Sequence, residues 1–446
     1  MVEDTLFELP EQEPRPERVT SPQQARVLRP VRNQVELVER DLDATLPADH
    51  PARAIWALLE RMNLSRFFAS IKSVQGRAGH PATDPQMLLA LWLYATSEGI
   101  GSARQIARLC EEHDAYRWLR GGVPINYHTL SDFRVSHQEA LDNLLTEVLA
   151  SMMRAGLVTL RHVAQDGMRV RASAGASSFR RRSTLEGCLE EAKQQVARLA
   201  AEREQPDPGQ SARQEAARQR AAKERERRVE EALRRMPEIE AAKERSKKKL
   251  SKAKREKVTE ARVSTSDPEA RVMKMPDGGF RPAYNLQMAT DEDSQVVVGV
   301  AVDTTGCDGG QAPPVVEQVV ERTGKQPMAY LMDGGFAKRD DIVALEGRGV
   351  TVYAPTREPT SASSGRTKAD PRRDDKPEVA RWRERMETDE AKEIYKQRAA
   401  TAECVNAQGR RHGLRQLPVR GVGKVLSVLL LAAITHNLLR WIALGG

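Results

Sequence analysis

Cysteine is scarce in this 446-residue chain: Cys110, Cys188, Cys307 and Cys404 are scattered, with no Cys-x-x-Cys pair and no Cys/His spacing that suits zinc. That excludes a disulfide framework and a zinc module, and the four read as reduced cytosolic thiols. Aromatic residues make up only 4% of the chain, too few for the stacking platforms that grip single strands and RNA loops. There is no glycine-rich phosphate cradle, which weighs against an NTPase, and no persuasive serine triad. The N-terminus, MVEDTLFELPEQEPRPERV, is acidic and proline-rich where a secretory signal would be basic and then apolar. One long apolar run exists, VLSVLLLAAITHNLLRWIAL from Val425 to Leu444. Its length matches a bilayer span, but His436, Asn437 and Arg440 interrupt the second half. It reads as a buried C-terminal helix, and no membrane partner is expected.

What is present points toward a polyanion. The length allows two or three domains and a real core, and the formal net charge is +8, which suits a nucleic-acid partner without proving one.

The texture changes along the chain. Residues 1–48 are polar and proline-rich, an irregular arm. Residues 49–156 read as an all-helical domain, in which Asp84 caps a helix with Pro85 at its first position and Ser102 caps another. Short helices joined by tight turns fit a helix-turn-helix, a pattern that helical bundles without DNA share. Within it, NYHTLSDFR supplies the candidate reading helix near His128 to Arg134, with Ser131 and Arg134 expected on its exposed side; Ser131 as an ordinary cap is the alternative. His128 itself reads as a helix-start residue.

Residues 157–182 and 261–446 alternate differently. LVTLRHVAQDGMRVRA is a strand, AYNLQMATD and SQVVVGVAVD form a hairpin turning at Asp291 to Ser294, and PMAYLMDGG and VTVYAP are further strands separated by helices. Strand, strand, strand, helix, strand, helix, strand describes a mixed α/β sheet. Between the two parts lies 183–260, charged and alanine-rich. Pro206 to Gly209 marks a turn between two helical arms, and thin apolar stripes run through Leu185, Leu189, Val196 and Leu199 and through Val229, Leu233 and Met236. From Ser211 to Glu260 there are 18 Lys and Arg against 10 Asp and Glu. That excess equals the whole chain's, so the insertion is either a solvated helical hairpin or an arm that touches DNA.

Asp166 stands mid-strand among apolar and basic residues, and Asp333 ends its own strand. A buried acid is costly unless it is paired or holds a metal. If the fourth strand lies beside the first, parallel and about 5 Å away, the two carboxylates meet, and a divalent cation between them would keep both ionised. A third acid has to come from elsewhere. Glu403, in KEIYKQRAATAECVNAQGRRHG, shares a helical face with Arg410 and lies near Asn406, while Glu387, Glu390 and Glu393 are rivals. Arg398 falls off that face if the helix is continuous, so the helix is expected to bend or to begin later. Three carboxylates around two hard cations is the arrangement that phosphoryl transfer on DNA needs. Asp340 and Asp341 read as first-turn residues favoured by the helix dipole, and Trp382 and Trp441 as core anchors. His412 reads as a neighbour of phosphate.

In this order, NYHTLSDFR, VAQDGMRVRASA, STSDPEARVMKM, AYNLQMATD, MDGGF, YKQRAATAECVNAQGRRHGLRQLPVRG and ITHNLLR resemble the bacterial insertion-sequence transposases of the DDE type. The resemblance runs from about Pro51 to the C-terminus. It implies a ribonuclease-H-like catalytic fold behind the helical domain, with Asp166, Asp333 and Glu403 as catalytic residues and metal ligands for two magnesium ions, manganese being an alternative. It also implies that Tyr395, Arg398 and Glu403 occupy three places of a signature whose fourth, usually lysine, is here Arg410, which offers a fork in place of a point charge. Arg169 and Arg171 become candidate phosphate contacts. The partners implied are the double-stranded ends of the element, target DNA and further copies of the chain, in the bacterial cytoplasm at the nucleoid. The alternative is a catalytically inactive DNA-binding descendant, whose mark would be a missing acid; all three are present.

Overall fold

A computed structural model describes residues 41–73, 81–204, 211–248, 251, 255, 259–356 and 372–445. The turn expected at Pro206 to Gly209 and most of the N-terminal arm lie outside the described residues. The arm's last residues do not behave as an arm. The compact unit begins at Leu42, because Leu46 is buried and Asp43 accepts from the Trp118 indole N–H at 2.9 Å.

Seven helices come first: α1 (Pro51–Glu60), α2 (Ser65–Phe68), α3 (Pro85–Ser97), α4 (Ala103–Glu112), α5 (Asp114–Arg120), α6 (Tyr127–Ser136) and α7 (Gln138–Arg154). Their starts follow the capping chemistry of the sequence. The side chains of Asp84, Ser102 and Asn126 accept from backbone N–H groups in the first turns of α3, α4 and α6. Helix α3 is apolar all round and buried along almost its whole length, so it lies inside the helical layer.

The sheet holds β1 (His162–Arg171), then β4 (Arg271–Lys274), β5 (Phe280–Asp291), β6 (Val297–Asp303), β7 (Ala329–Met332) and β8 (Thr351–Tyr353), with β2 (Phe179–Arg180) and β3 (Val263–Ser264) forming a separate two-stranded pair. Strand β5 runs antiparallel to β1, β4 and β6, whereas β7 runs parallel to β1 and β8 parallel to β7. The fourth predicted strand therefore does lie beside the first. The short edge strand β4 was not foreseen.

The insertion is a helical hairpin, α8 (Arg182–Glu204) and α9 (Ala212–Lys248). The predicted stripes meet as a small core of Leu185, Val229, Ala232 and Met236, closed at the base by Val263 of β3. Arg235 ties α9 to Glu269 of the main body at 2.5 Å.

The chain then forms α10 (Ala312–Thr323), α11 (Arg339–Glu346), α12 (Pro377–Glu387), α13 (Asp389–Arg398), one π-helical turn (Ala399–Glu403), α14 (Cys404–Arg411) and α15 (Val422–Ala443). Helix α15 is long and apolar enough to cross a membrane, yet two thirds of its apolar window is buried. It packs on α3, α7 and β6. The ITHNLLR segment supplies its polar fastenings to the β5–β6 hairpin. Asn437 exchanges two hydrogen bonds with the Val297 backbone, His436 bonds the Gln295 carbonyl and Arg440 donates to the Ser294 carbonyl, all at 2.8–2.9 Å. One continuous apolar core thus joins the helical layer to the sheet.

Candidate active site

The parallel pairing of β1 with β7 ends at Gln165 opposite Met332. The next residues are Asp166, which stays in the sheet opposite Met288 of β5, and Asp333, which follows the end of β7. Asp333 turns Oδ1 back to accept from the Gly335 and Phe336 N–H groups at 2.7 and 3.3 Å. Asp166 is held at both oxygens. Oδ1 accepts from the Gly167 N–H at 3.0 Å and lies 3.2 Å from the Arg398 guanidinium, while Oδ2 accepts from Asn406 Nδ2 at 2.8 Å. Burial raises the pKa of Asp166 against the opposing pull of Arg398, with Asp333 and Asp308 adding negative charge nearby.

Arg398 and Asn406 come from opposite sides of the π turn. The expected bend or later start is replaced by this turn: its wider winding breaks the 3.6-residue register, and both side chains reach Asp166. Tyr395 is half-buried in the same region, and burial pushes its hydroxyl pKa up, with Arg398 acting the other way. Glu403 ends the π turn, which packs against β1, and its side chain is exposed. The rivals Glu387, Glu390 and Glu393 are exposed as well, and Glu393 is paired with Lys396.

Among the described residues, no three acids, histidines or cysteines stand as a ready-made metal cage. The donor chemistry nonetheless suits a hard divalent cation. Carboxylate oxygens flank two glycines, Gly167 and Gly335, at which a side chain would collide with Asp308 or Asp333. Asn285 Oδ1 beside them is buried without a hydrogen-bond partner. The residues fit the group.

The arginines divide. Arg169 donates to the carbonyls of Lys274 and Gly306 at 2.8 and 3.2 Å, so its guanidinium fastens the sheet to a loop. Arg171 and Arg410 are exposed. Ser131, Arg134 and Arg410 line one cavity of about 800 Å3 together with Arg104, Arg411 and Arg415. Arg134 is not on the exposed side of α6 as expected. It is buried, its guanidinium 4.4 Å over the Trp92 ring and donating to the Gly101 carbonyl at 2.7 Å, and burial lowers its pKa to about 10. The reason is that α6 rests this face on α3. Ser131 lies mid-helix and half-buried, and the cap is Asn126. His412, also buried, lines the same cavity. Asp340 and Asp341 do open α11, and Asp341 accepts from the Gly310 N–H at 2.6 Å. Trp382 is buried.

Asn406 escaped the sequence reading as a hydrogen-bond partner of Asp166, and Asp308 as a further acid near it. For Asp308 a signal existed: Asp308-Gly309-Gly310 repeats the Asp-Gly-Gly of Asp333-Gly334-Gly335.

Residues 40–136 match the family model described as a transposase domain, DUF772, and residues 360–442 match a transposase DDE domain. The second match contains Glu403 and Arg410; Asp166 and Asp333 lie outside both. No match was found among curated proteins or solved structures. One transposase model over the helical layer and another over the C-terminal segment that contains Glu403 together indicate an insertion-sequence DDE-type transposase.

Proposed function

We propose that the chain is a metal-dependent DNA transposase with a ribonuclease-H-like core, acting at Asp166, Asp333 and Glu403. The observation that carries the proposal is the position of Asp166, midway along β1, and of Asp333, just past the end of β7, one residue beyond the last paired positions of these parallel strands, with Arg398 and Asn406 against Asp166. The strand order supports it: an antiparallel set of β6, β5 and β1, continued by β7 and β8 parallel to β1, is what such a core requires. Rigid strands position acids better than loops do.

Each residue has a part. Asp166, Asp333 and Glu403 would hold magnesium, or manganese in its place. The bound cations would supply an activated water or 3′-hydroxyl and stabilise the leaving oxygen. Arg398 offsets the charge of Asp166, and Asn406 fixes its orientation. Residues 49–156 read the terminal inverted repeats of the element, with Ser131 and the cavity arginines other than the buried Arg134, namely Arg104, Arg410, Arg411 and Arg415, meeting the duplex. Arg171 and Arg410 contact phosphates, and Tyr395 supports the site from its half-buried position. Residues 157–182 and 261–446 cut the ends and join the freed 3′-hydroxyls to target DNA, while the hairpin 183–260 is an appended arm. Two ends are handled by an assembly of identical chains.

The test is cleavage of the element's own ends by Asp166→Asn, Asp333→Asn and Glu403→Gln, each of which removes a charged ligand at nearly constant shape. All three are expected to bind the ends and to cut below about one hundredth of the wild-type rate. Cutting near the wild-type rate by any of them removes that residue from the triad.

A further inference from the structure

Asp308 lies in the turn between β6 and α10, on none of the elements that carry Asp166, Asp333 or Glu403. Two amides of β5 hold its carboxylate: Asn285 Nδ2 donates to Oδ1 at 2.7 Å and Gln287 Nε2 at 3.0 Å. Both amide side chains are fully buried. Committing two buried donors to one oxygen fixes the carboxylate more firmly than a surface loop requires.

The direction in which it is fixed matters. A Cβ added at Gly167, the residue after Asp166, would stand 2.4 Å from Asp308 Oδ1. A Cβ at Gly335, two residues after Asp333, would stand 2.9 Å from Asp333 Oδ1 and 3.4 Å from Asp308 Oδ2. The carboxylate of Asp308 therefore spans the space between the backbones that present the two strand acids, and Gly167 leaves that space open.

A separate observation points to a cation there. Asn285 Oδ1 is buried, has no hydrogen-bond partner and lies 2.8 Å from the same Cβ position at Gly167. An orphaned oxygen beside carboxylates is costly in an apolar wall and favourable next to a positive ion or its water shell.

We propose that Asp308 is a fourth carboxylate of the site, acting on the divalent cation held by Asp166 and Asp333 as a ligand or through the cation's bound water. The assignment rests on the metal-dependent reading above. A purely structural Asp308 would tie β6 and α10 to the sheet and nothing more. Asp308→Asn separates the two, because the amide oxygen can still accept from Asn285 and Gln287 while the charge is gone.

The experiment titrates Mn2+ into the full chain, by calorimetry and by the loss of the free-ion paramagnetic signal, for wild type, Asp308→Asn, Asp166→Asn and Asp333→Asn. Thermal melting without metal runs beside it. Asp308→Asn is expected to melt with wild type and to bind Mn2+ about ten-fold or more weakly. Affinity within about two-fold of wild type overturns the proposal. If Asp166→Asn and Asp333→Asn lose binding in that case, Asp308 alone is removed; if they too bind as wild type does, or wild type binds no Mn2+, the metal reading falls with it. Should Asp308→Asn not fold, Asp308→Glu keeps the charge but displaces the oxygens by one methylene. Weakened Mn2+ binding then supports the proposal, and wild-type affinity overturns it.

Discussion

Asn406 donates to Asp166 Oδ2 at 2.8 Å across 240 residues of sequence. The bond fixes one carboxylate oxygen while Arg398 addresses the other. Asn406→Ala frees Asp166 to rotate and leaves its charge in place. The expected result is a loss of roughly ten- to one-hundred-fold in end cleavage, the size typical of residues that orient a metal ligand. End binding in a gel shift should be unchanged. Wild-type cleavage would show that Arg398 and the Gly167 N–H suffice to orient Asp166.

Gly167→Ala is expected to damage both stability and cleavage. The new methyl would meet Asp308 Oδ1 at 2.4 Å and Gln287 Nε2 at 2.6 Å, and neither can retreat without giving up a buried hydrogen bond. Overpacking of this kind costs about 1–3 kcal/mol. Chemical denaturation and cleavage of the ends check the two effects; a variant with unchanged midpoint and rate would mean that the Asp308 turn moves freely.

Acid should loosen the fastening of α15. Burial holds the His436 pKa down at about 4, against an ordinary value near 6.5. Between these values the unfolded chain binds a proton that the fold refuses, so stability rises with pH across that window, is complete above it and is lost as pH falls. The limit for this one group is about 3 kcal/mol. His412, whose ring lies 6.3 Å away, and Arg440 are the neighbours that also disfavour a charge there, and burial lowers the His412 pKa in the same sense. Melting temperatures from pH 7.5 to 5 should fall less for His436→Gln, which keeps a donor for the Gln295 carbonyl. Parallel curves for the two proteins would remove His436 as a source of the slope.

Replacing residues 183–260 by a short Gly/Ser linker should leave the body folded. The hairpin buries its own few apolar residues, Leu185, Val229, Ala232 and Met236, and meets the body's side of the junction through Val263 and the Arg235–Glu269 pair. Circular dichroism and melting should show the wild-type fold with a modest loss of stability. Where the arm touches DNA, the logarithmic salt dependence of end binding becomes shallower by close to one unit for each phosphate contact removed. Failure to fold would make the hairpin part of the core.

Much of this arrangement was legible in local pattern. Alternating and apolar runs bounded by turns located β1, β5, β6, β7 and β8, caps located α3 and α4, and an acid in the middle of one apolar strand and at the end of another singled out Asp166 and Asp333. Those signals are short-range, since side-chain direction follows the period of the element. The polar positions His436, Asn437 and Arg440 that interrupt the apolar run each have a hydrogen-bonding duty on the β5–β6 hairpin.

Periodicity could not foresee which distant segments would meet. Arg134 looked exposed on its own helix and is buried because α3 brings Trp92 beneath it. Arg398 and Asn406 converge on Asp166 only because a π turn interrupts the helix between them, and Asp308 enters the site only because β5 holds it there. The sequence by itself determined most of the elements, though not the edge strand β4, and the pair of strand acids, since backbone sterics, capping and alternation act within a few residues. Only the tertiary structure decided what surrounds those acids, because the packing of α3, β5 and α14 against their neighbours depends on the shape of the whole core.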